Sequence, residues 1–422
     1  MRYHRQLRSL AVLCAAGLLL TACGGGRGGG DAGGQDPGIT ESEVKLGGSY
    51  PLSGPASAYA TIAQATQACF EQVNAEGGVR MGDGVTRNIN FIVYDDGYEP
   101  ARMLENTRRL VEQDRVFALF DTLGTPTNSA IVDYVNERQV PHLYLATGAS
   151  KWGSNTEEWP MTIGWQPAYS LESAIYAEYL KRERPGARVA VLYQNDDFGK
   201  DYLNGFKQAI EGSGIQIVAE ETYQVTDPSV DSQVVNLSRS NADVFFNITT
   251  PKFAAQAIAR KAEIGWDAMH LLNSVSTSVG SVMEPAGAEA SQGIISAEYI
   301  KDPSDPRVQD DPAMQEYKAA AEQYGDFNIE NEYGTFGFAV CNTMVKTLEQ
   351  TEEPTREALM EAVRSIDAEN PLLIDGIRVK TGEGDGFPIE SMQLQRFEGE
   401  RWVPFSDVIS RYEGNTPAGG GE

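Results

Sequence analysis

A chain of 422 residues is too long for one simple core and points to two lobes or domains. Its 41% hydrophobic and 22% charged residues are ordinary for a globular protein, but 60 Asp and Glu against 34 Lys and Arg leave a net charge of -26. Such a surface repels phosphate backbones and anionic headgroups, which argues against nucleic-acid binding.

Residues 10–20, LAVLCAAGLLL, form an apolar run behind Arg2, Arg5 and Arg8. The run is about half the length a bilayer span needs and has the flanks of a signal peptide, so residues 1–22 are expected to leave the mature chain. No later segment approaches transmembrane length. LTAC (20–23) resembles the bacterial lipobox, whose cysteine is acylated and becomes the new N-terminus. That resemblance implies lipidation at Cys23 and attachment by a lipid anchor only, with a plain secretory signal as the alternative. Residues 24–38, GGGRGGGDAGGQDPG, read as a flexible tether rather than a phosphate loop, because no strand precedes the glycines and no helix follows. The lipidated cysteine and tether together occupy 23–42.

From Glu43 strands and helices alternate. The segment 43–54 reads as a strand entering a loop, 56–78 as a helix with a Gly-Gly stop, and 89–100 as a strand ending in acids. Helices at 102–114 and 127–139 flank a buried strand at 116–120, and 140–150 is a strand opening into a small-residue loop. The rhythm restarts with helix 169–186, strand 188–193, helix 199–214, strands at 215–223, 242–248 and 269–273, and a helix at 251–266. Helices follow at 313–325, 335–350 and 355–366, and residues 372–405 alternate like antiparallel strands joined by Gly-rich turns. Repeated βαβ units imply parallel sheets, and two such runs imply two similar lobes. Cys69 and Cys341 each fall on the apolar face of an expected helix, where buried free thiols and a Cys69–Cys341 disulfide are both open.

Little in the sequence suits an enzyme. Only three histidines are present; His4 belongs to the signal, and His142 and His270 sit in apolar strands as core residues. A Ser/His/Asp arrangement has little to work with, and no CxxC, HxxxH or HExxH supports a metal site. No cofactor is implied. Asp95 and Asp96 end a strand and read as turn and capping residues. What stands out is a set of Ser-, Thr- and Gly-rich loops at the C-terminal ends of strands, where open α/β sheets bind ligands. They are LSGPASAY (52–59), LGTPTN (123–128), ATGAS (146–150), NDDFG (195–199), NITTP (247–251) and NSVSTS (273–278). Their backbone N–H groups and hydroxyls suit a carboxylate. Tyr59, Phe198, Trp165 and Tyr333 could supply apolar walls.

These loops carry a resemblance to the type I periplasmic binding proteins, specifically the branched-chain amino acid and amide receptors of ABC importers. Its bearers are VKLGGSYPLSGP (44–55), FEQVNAEGGV (70–79), IVYDDGYEP (92–100), GTPTNSA (124–130), ATGAS (146–150), VAVLYQNDDFGKDY (189–202) and AQAIARKAEIGW (255–266), in this order and behind a lipobox. The resemblance implies an α/β fold of two Rossmann-like lobes joined by a three-crossover hinge. Lobe 1 would comprise 43–164 and 297–377, lobe 2 165–296 and 378–412, and 413–422 a disordered tail. The crossovers are expected near 162–166, 295–298 and 376–379. A monomer would capture a small solute in the interlobe cleft, on the outer face of the cytoplasmic membrane, and pass it to a membrane permease. Loops matching Gly124–Thr125 and Gly148–Ala149–Ser150 would take a ligand carboxylate, with Tyr59 and Phe198 flanking it.

One departure bears on the ligand. Amino-acid receptors of this kind carry an acid in the second-lobe loop after the strand matching MHLLN, where it meets the α-amine. Here that loop, beginning at Asn273, has none, and Thr249 and Thr250 stand where tyrosine is favoured. Burying an unpaired ammonium would cost several kcal/mol. A carboxylate or amide ligand lacking an α-amine, including an aromatic acid, is therefore expected, with leucine or valine as the alternative. A sensing module without transport would share every motif.

Overall fold

Residues 36–417 are described by the computed structural model; the signal segment, Cys23, most of the tether and the last five residues lie outside them. The first sheet contains β1 (Glu43–Tyr50), β2 (Val79–Arg80), β3 (Thr86–Asp95), β4 (Ala118–Phe120), β5 (His142–Leu145) and β6 (Thr162–Gly164), in the order β2-β3-β1-β4-β5-β6. All pairings are parallel except β2 with β3. Parallel strands require crossover helices. These are α1 (Ala60–Ala75), α2 (Pro100–Arg109), and the short α3 (Thr125–Ser129) and α4 (Val132–Glu137), with α5 (Lys151–Ser154) after β5. The helix expected over 127–139 is thus two pieces, broken between Ser129 and Val132.

The second sheet runs β15-β14-β11-β10-β9-β7-β8. Its strands are β7 (Arg188–Gln194), β8 (Gln216–Tyr223), β9 (Val244–Ile248), β10 (Met269–Leu272), β11 (Ile295–Glu298), β14 (Met392–Glu398) and β15 (Arg401–Ile409). The helices α6 (Tyr169–Glu183), α7 (Asp197–Ile210), α8 (Asp231–Ser238), α9 (Pro251–Glu263) and α10 (Glu284–Ala286) belong to this part of the chain. The α8 segment, DSQVVNLS, is short and polar, and its apolar pattern is too brief to announce a helix. The strands β14 and β15 add antiparallel to β11, as the alternating tail implied.

Between β11 and β14 the chain returns to the first lobe. There it forms α11 (Pro312–Tyr324), α12 (Glu332–Gln350), α13 (Arg356–Val363) and the small antiparallel pair β12 (Asp367–Glu369) and β13 (Arg378–Lys380). Three segments therefore join the sheets: β6 to α6, β11 onward to α11, and β13 to β14. The last falls after β13, later in the chain than the 376–379 expectation.

Helix α12 packs on α1 with almost no gap. A Cβ at Gly337 would lie 2.6 Å from the Ile62 carbonyl and 2.7 Å from Ala65 Cβ, so only glycine allows this approach. The Cys69–Cys341 disulfide joins the same two helices, spanning 272 residues of sequence. Beneath them Phe70, Phe91, Phe120 and Tyr144 form a run of edge and tilted ring contacts that fills the lobe 1 core. A bridge closing so long a loop contributes roughly 2–4 kcal/mol. Replacing both cysteines by alanine is expected to lower the urea unfolding free energy by about that amount. Peptide mapping without reductant should find the two residues joined; separate free-thiol peptides would contradict the pairing.

Candidate functional site

The C-terminal ends of both sets of parallel strands face one another across a cleft enclosing about 780 Å³ between atoms, solvent included. Lobe 1 contributes Tyr59, Tyr98, Gly124, Thr125, Tyr333 and Phe336; lobe 2 contributes Tyr169, Phe198, Thr250 and Val275. Glu298, Tyr299 and Asp302 come from the second joining segment, Trp402 from β15 and Glu332 from the first turn of α12. Eight aromatic residues are the largest group in the wall, and no Lys or Arg lies in it.

Each wall residue is set by local chemistry. Tyr59 directly precedes α1 and Tyr333 lies in the first turn of α12; their rings are 5.2 Å apart, and each hydroxyl donates to the Val275 carbonyl at 3.0 Å. Two lobe 1 side chains therefore grip the loop after β10. Gly124 has φ +99, and a Cβ there would meet Tyr98 at 2.6 Å, so the turn into α3 needs glycine. The acids of YDDGYEP are turn residues: Asp95 accepts from the Ser53 hydroxyl and the Gly97 N–H, and Asp96 from the Ser49 hydroxyl and the Tyr98 N–H. Their effect is to present Tyr98 to the cleft. Asp196 caps α7 by accepting from the Phe198 and Gly199 N–H groups, which fixes Phe198.

Six residues singled out from the sequence are not part of the cleft wall. Thr249 donates to Asn247 Oδ1 at 2.8 Å and Asn273 Nδ2 donates to the Thr249 carbonyl at 3.2 Å, so both knit the loops behind the cleft. Gly148 and Ala149 lie in the turn leading to Ser150. The Ser150 N–H and hydroxyl both donate to Asp201 Oδ2 on α7, at 2.9 and 2.8 Å. The donors expected to receive a solute carboxylate are occupied by a carboxylate of the opposite lobe, and burial pushes that Asp201 group up to about 6. Beside it Lys151 pairs with Asp197 at 2.7 Å, so these contacts cross between lobes. Trp165 lies behind the wall, its Nε1 donating to Thr343 Oγ1 and its ring against Phe336 and Tyr299.

Acids enter the cleft from positions that the loop after β10 did not reveal. Glu298 ends β11, Glu332 opens α12 and Asp302 follows the crossing. Burial pushes Glu298 up to about 8, and burial followed by the charge of Glu298 pushes Glu332 well above the usual range. The loop NSVSTS lacks an acid, as its sequence says, but the space it borders does not. Tyr98, Tyr169, Tyr299, Phe336 and Trp402 were also missed; the one available signal was an acid closing a strand at SAE (296–298).

Glu172 on α6 is buried under the same loop and has donors to match its oxygens. Oε1 accepts from the Tyr176 hydroxyl and the Ser274 N–H; Oε2 accepts from the Tyr202 and Ser274 hydroxyls, at 2.6 to 2.8 Å throughout. The two histidines of the described residues are buried in strands; burial takes His142 down to about 3, where it meets Thr122 and Asn128. Among the described residues no group of three His, Cys, Asp or Glu is placed to hold a metal ion.

The chain belongs to the periplasmic binding protein family, whose model matches residues 43–401. A Leu/Ile/Val-binding protein homolog 7 of Brucella abortus is 20% identical over 370 residues, 83% of this chain and 86% of that protein. A branched chain amino acid ABC transporter protein of Thermus thermophilus, solved with bound valine, superposes at a TM-score of 0.77 with 18% identity, covering 88% of this chain and 97% of that one. A fatty acid ABC transporter substrate-binding protein of Thermomonospora curvata also reaches 0.77, at 22% identity, over 91% and 97% of the two chains. The architecture is the type I periplasmic binding protein fold of two lobes.

Glu172 supplies a test of how the cleft loop is held. Removing its carboxylate leaves buried donors unpaired, at about 1–3 kcal/mol each. Glu172→Ala is expected to lower the unfolding free energy by about 3 kcal/mol. Glu172→Gln should not restore it, because the amide NH₂ would face donors. Urea denaturation of both variants checks this, and a glutamine variant of native stability would contradict it.

Proposed function

We propose that the protein is the extracytoplasmic substrate-binding lipoprotein of an ABC importer, capturing a small solute between its lobes and delivering it to the permease. The observation that carries this is the Tyr59 and Tyr333 grip on Val275: it makes closure and enclosure of the space one event. In this reading Tyr59, Gly124, Thr125, Phe198 and Tyr333 touch the solute. Gly148, Ala149, Ser150, Thr249 and Asn273 act one layer back, holding loops and lobes in register. The aromatic wall suits an apolar aromatic or branched body, with a polar end at the Gly124–Thr125 turn suited to a carboxylate, as in an aromatic acid or amino acid, or to an amide. The valine of the Thermus protein and the fatty acid of the Thermomonospora protein's name support a ligand with an apolar body. No residue acts as a catalyst. No helix among the described residues is long and apolar enough to cross a membrane, so in this reading attachment rests on Cys23 and two acyl chains.

Mass spectrometry of the mature N-terminus should find a diacylated Cys23, and Cys23→Ser should move the protein from the membrane to the soluble fraction. Native mass spectrometry of the purified protein should show a copurifying small molecule, absent after denaturation. An unmodified N-terminus upstream of Cys23 would overturn the anchor, and chemical turnover of the bound molecule would overturn the binding role.

A further inference from the structure

Glu298 and Glu332 meet at one hydroxyl. Thr277 Oγ1 lies 2.8 Å from Glu332 Oε1, 3.2 Å from Glu298 Oε2 and 2.8 Å from the Ser274 carbonyl oxygen. A threonine hydroxyl has a single proton to give, and a carbonyl can only accept. The other contacts are hydrogen bonds only where a carboxyl group donates to Thr277. Two carboxylic acid protons satisfy all three contacts at once. Glu172 differs in receiving the Ser274 N–H, the Ser274 hydroxyl and the Tyr202 hydroxyl, while the Tyr176 hydroxyl lies between it and the Leu272 carbonyl.

Of the remaining oxygens, two have donors and two have none. Glu298 Oε1 accepts the Tyr299 and Ile300 N–H groups, but Glu332 Oε2 takes no hydrogen bond among the described residues. Asp302 Oδ1 accepts from Ser304, while Oδ2 is buried and unpartnered at the cleft wall. The ionisable neighbours are acids: Glu172 faces Glu298, Asp302 faces Glu332, and Asp305 and Glu330 face Asp302. Tyr59, Tyr299 and Tyr333 are neutral at physiological pH, burial pushing each hydroxyl further up. The nearby cations are committed elsewhere, Lys301 to Asp311 and Asp375, Arg307 to Asp305, and Lys318 to Glu330.

We propose that Glu298, Glu332 and Asp302 form a subsite for a cationic nitrogen of the solute, and that capture exchanges protons held by the glutamate pair for that cation. The step balances: an acid O–H gives its proton to solvent, the resulting carboxylate pairs with the incoming ammonium, and the net charge of the subsite is unchanged for each proton released. The unpartnered Asp302 oxygen and Glu332 Oε2 accept the ammonium hydrogens. The inference rests on the reading of the cleft as a solute site and makes affinity depend on pH. Below the pair's range the cation must compete with protons, so affinity rises with pH by roughly tenfold per unit for one proton released and levels once the pair has given that proton up.

Isothermal titration of the lipid-free mature chain with isopentylamine, leucine and isovalerate, and with 2-phenylethylamine, phenylalanine and phenylacetate, separates the outcomes. Nitrogen-bearing members are expected to bind, more tightly at about pH 8 than at about pH 6, with heats in buffers of different ionisation enthalpy showing proton release. Glu332→Gln should weaken amine binding at least tenfold while leaving Tm unchanged or higher, because the amide mimics the protonated acid. Binding of isovalerate or phenylacetate without response to any amine overturns the subsite and leaves solute capture standing. So does amine binding of constant affinity over that pH range. No heat from any of the six, together with no copurifying solute, overturns both.

Discussion

Strands that run parallel all release their chain at the same edge of their sheet, and crossovers carry it back to the opposite edge to begin the next strand. Two such sheets set end to end place their irregular backbone in a common gap. Irregular backbone needs partners for its polar groups, and much of the cleft chemistry follows from supplying them. Asp96 and Asp196 turn the chain at strand ends, and Asn273 ties one loop to the next. Once these local needs are met, the side chains left over are aromatic rings and carboxyl groups.

Carboxyl groups in this protein fall into two kinds according to their donors. Glu172 is held by hydroxyls and an N–H, and Asp201 by both donors of Ser150, so each has a defined orientation and a structural task. Glu298, Glu332 and Asp302 crowd one end of a space without a basic wall residue. Unpaired carboxylates crowded out of water are costly, so such groups hold protons or acquire a cation. That distinction, more than residue type, separates the scaffold from the reactive end of the cleft.

The alternation of strands and helices was readable because each element is long enough to show its period: α1, α6, α9 and α12 carry apolar faces over several turns. The fold follows from that rhythm. Tyr59, Gly124, Thr125, Phe198 and Tyr333 come from segments that the sequence marks, and they line one cleft. Ser150 was less legible, since nothing in ATGAS shows that α7 of the opposite lobe brings Asp201 to its donors. Glu298 and Glu332 are separated by 34 positions and converge only because the chain crosses back into lobe 1 between them. A reading confined to single loops cannot see a cluster assembled by a crossing.

The same crossings have a consequence for biogenesis. Lobe 1 receives α12 only after β11 has been made, and β14 and β15 complete the second sheet near the end of the chain. Neither half is a contiguous stretch, so an emerging nascent chain has no complete first lobe until β13 and no complete second sheet until β15. Such long-range closure folds slowly. A product that ends before α12 lacks the packing partner of α1, and one that ends before β14 leaves the second sheet without its last two strands.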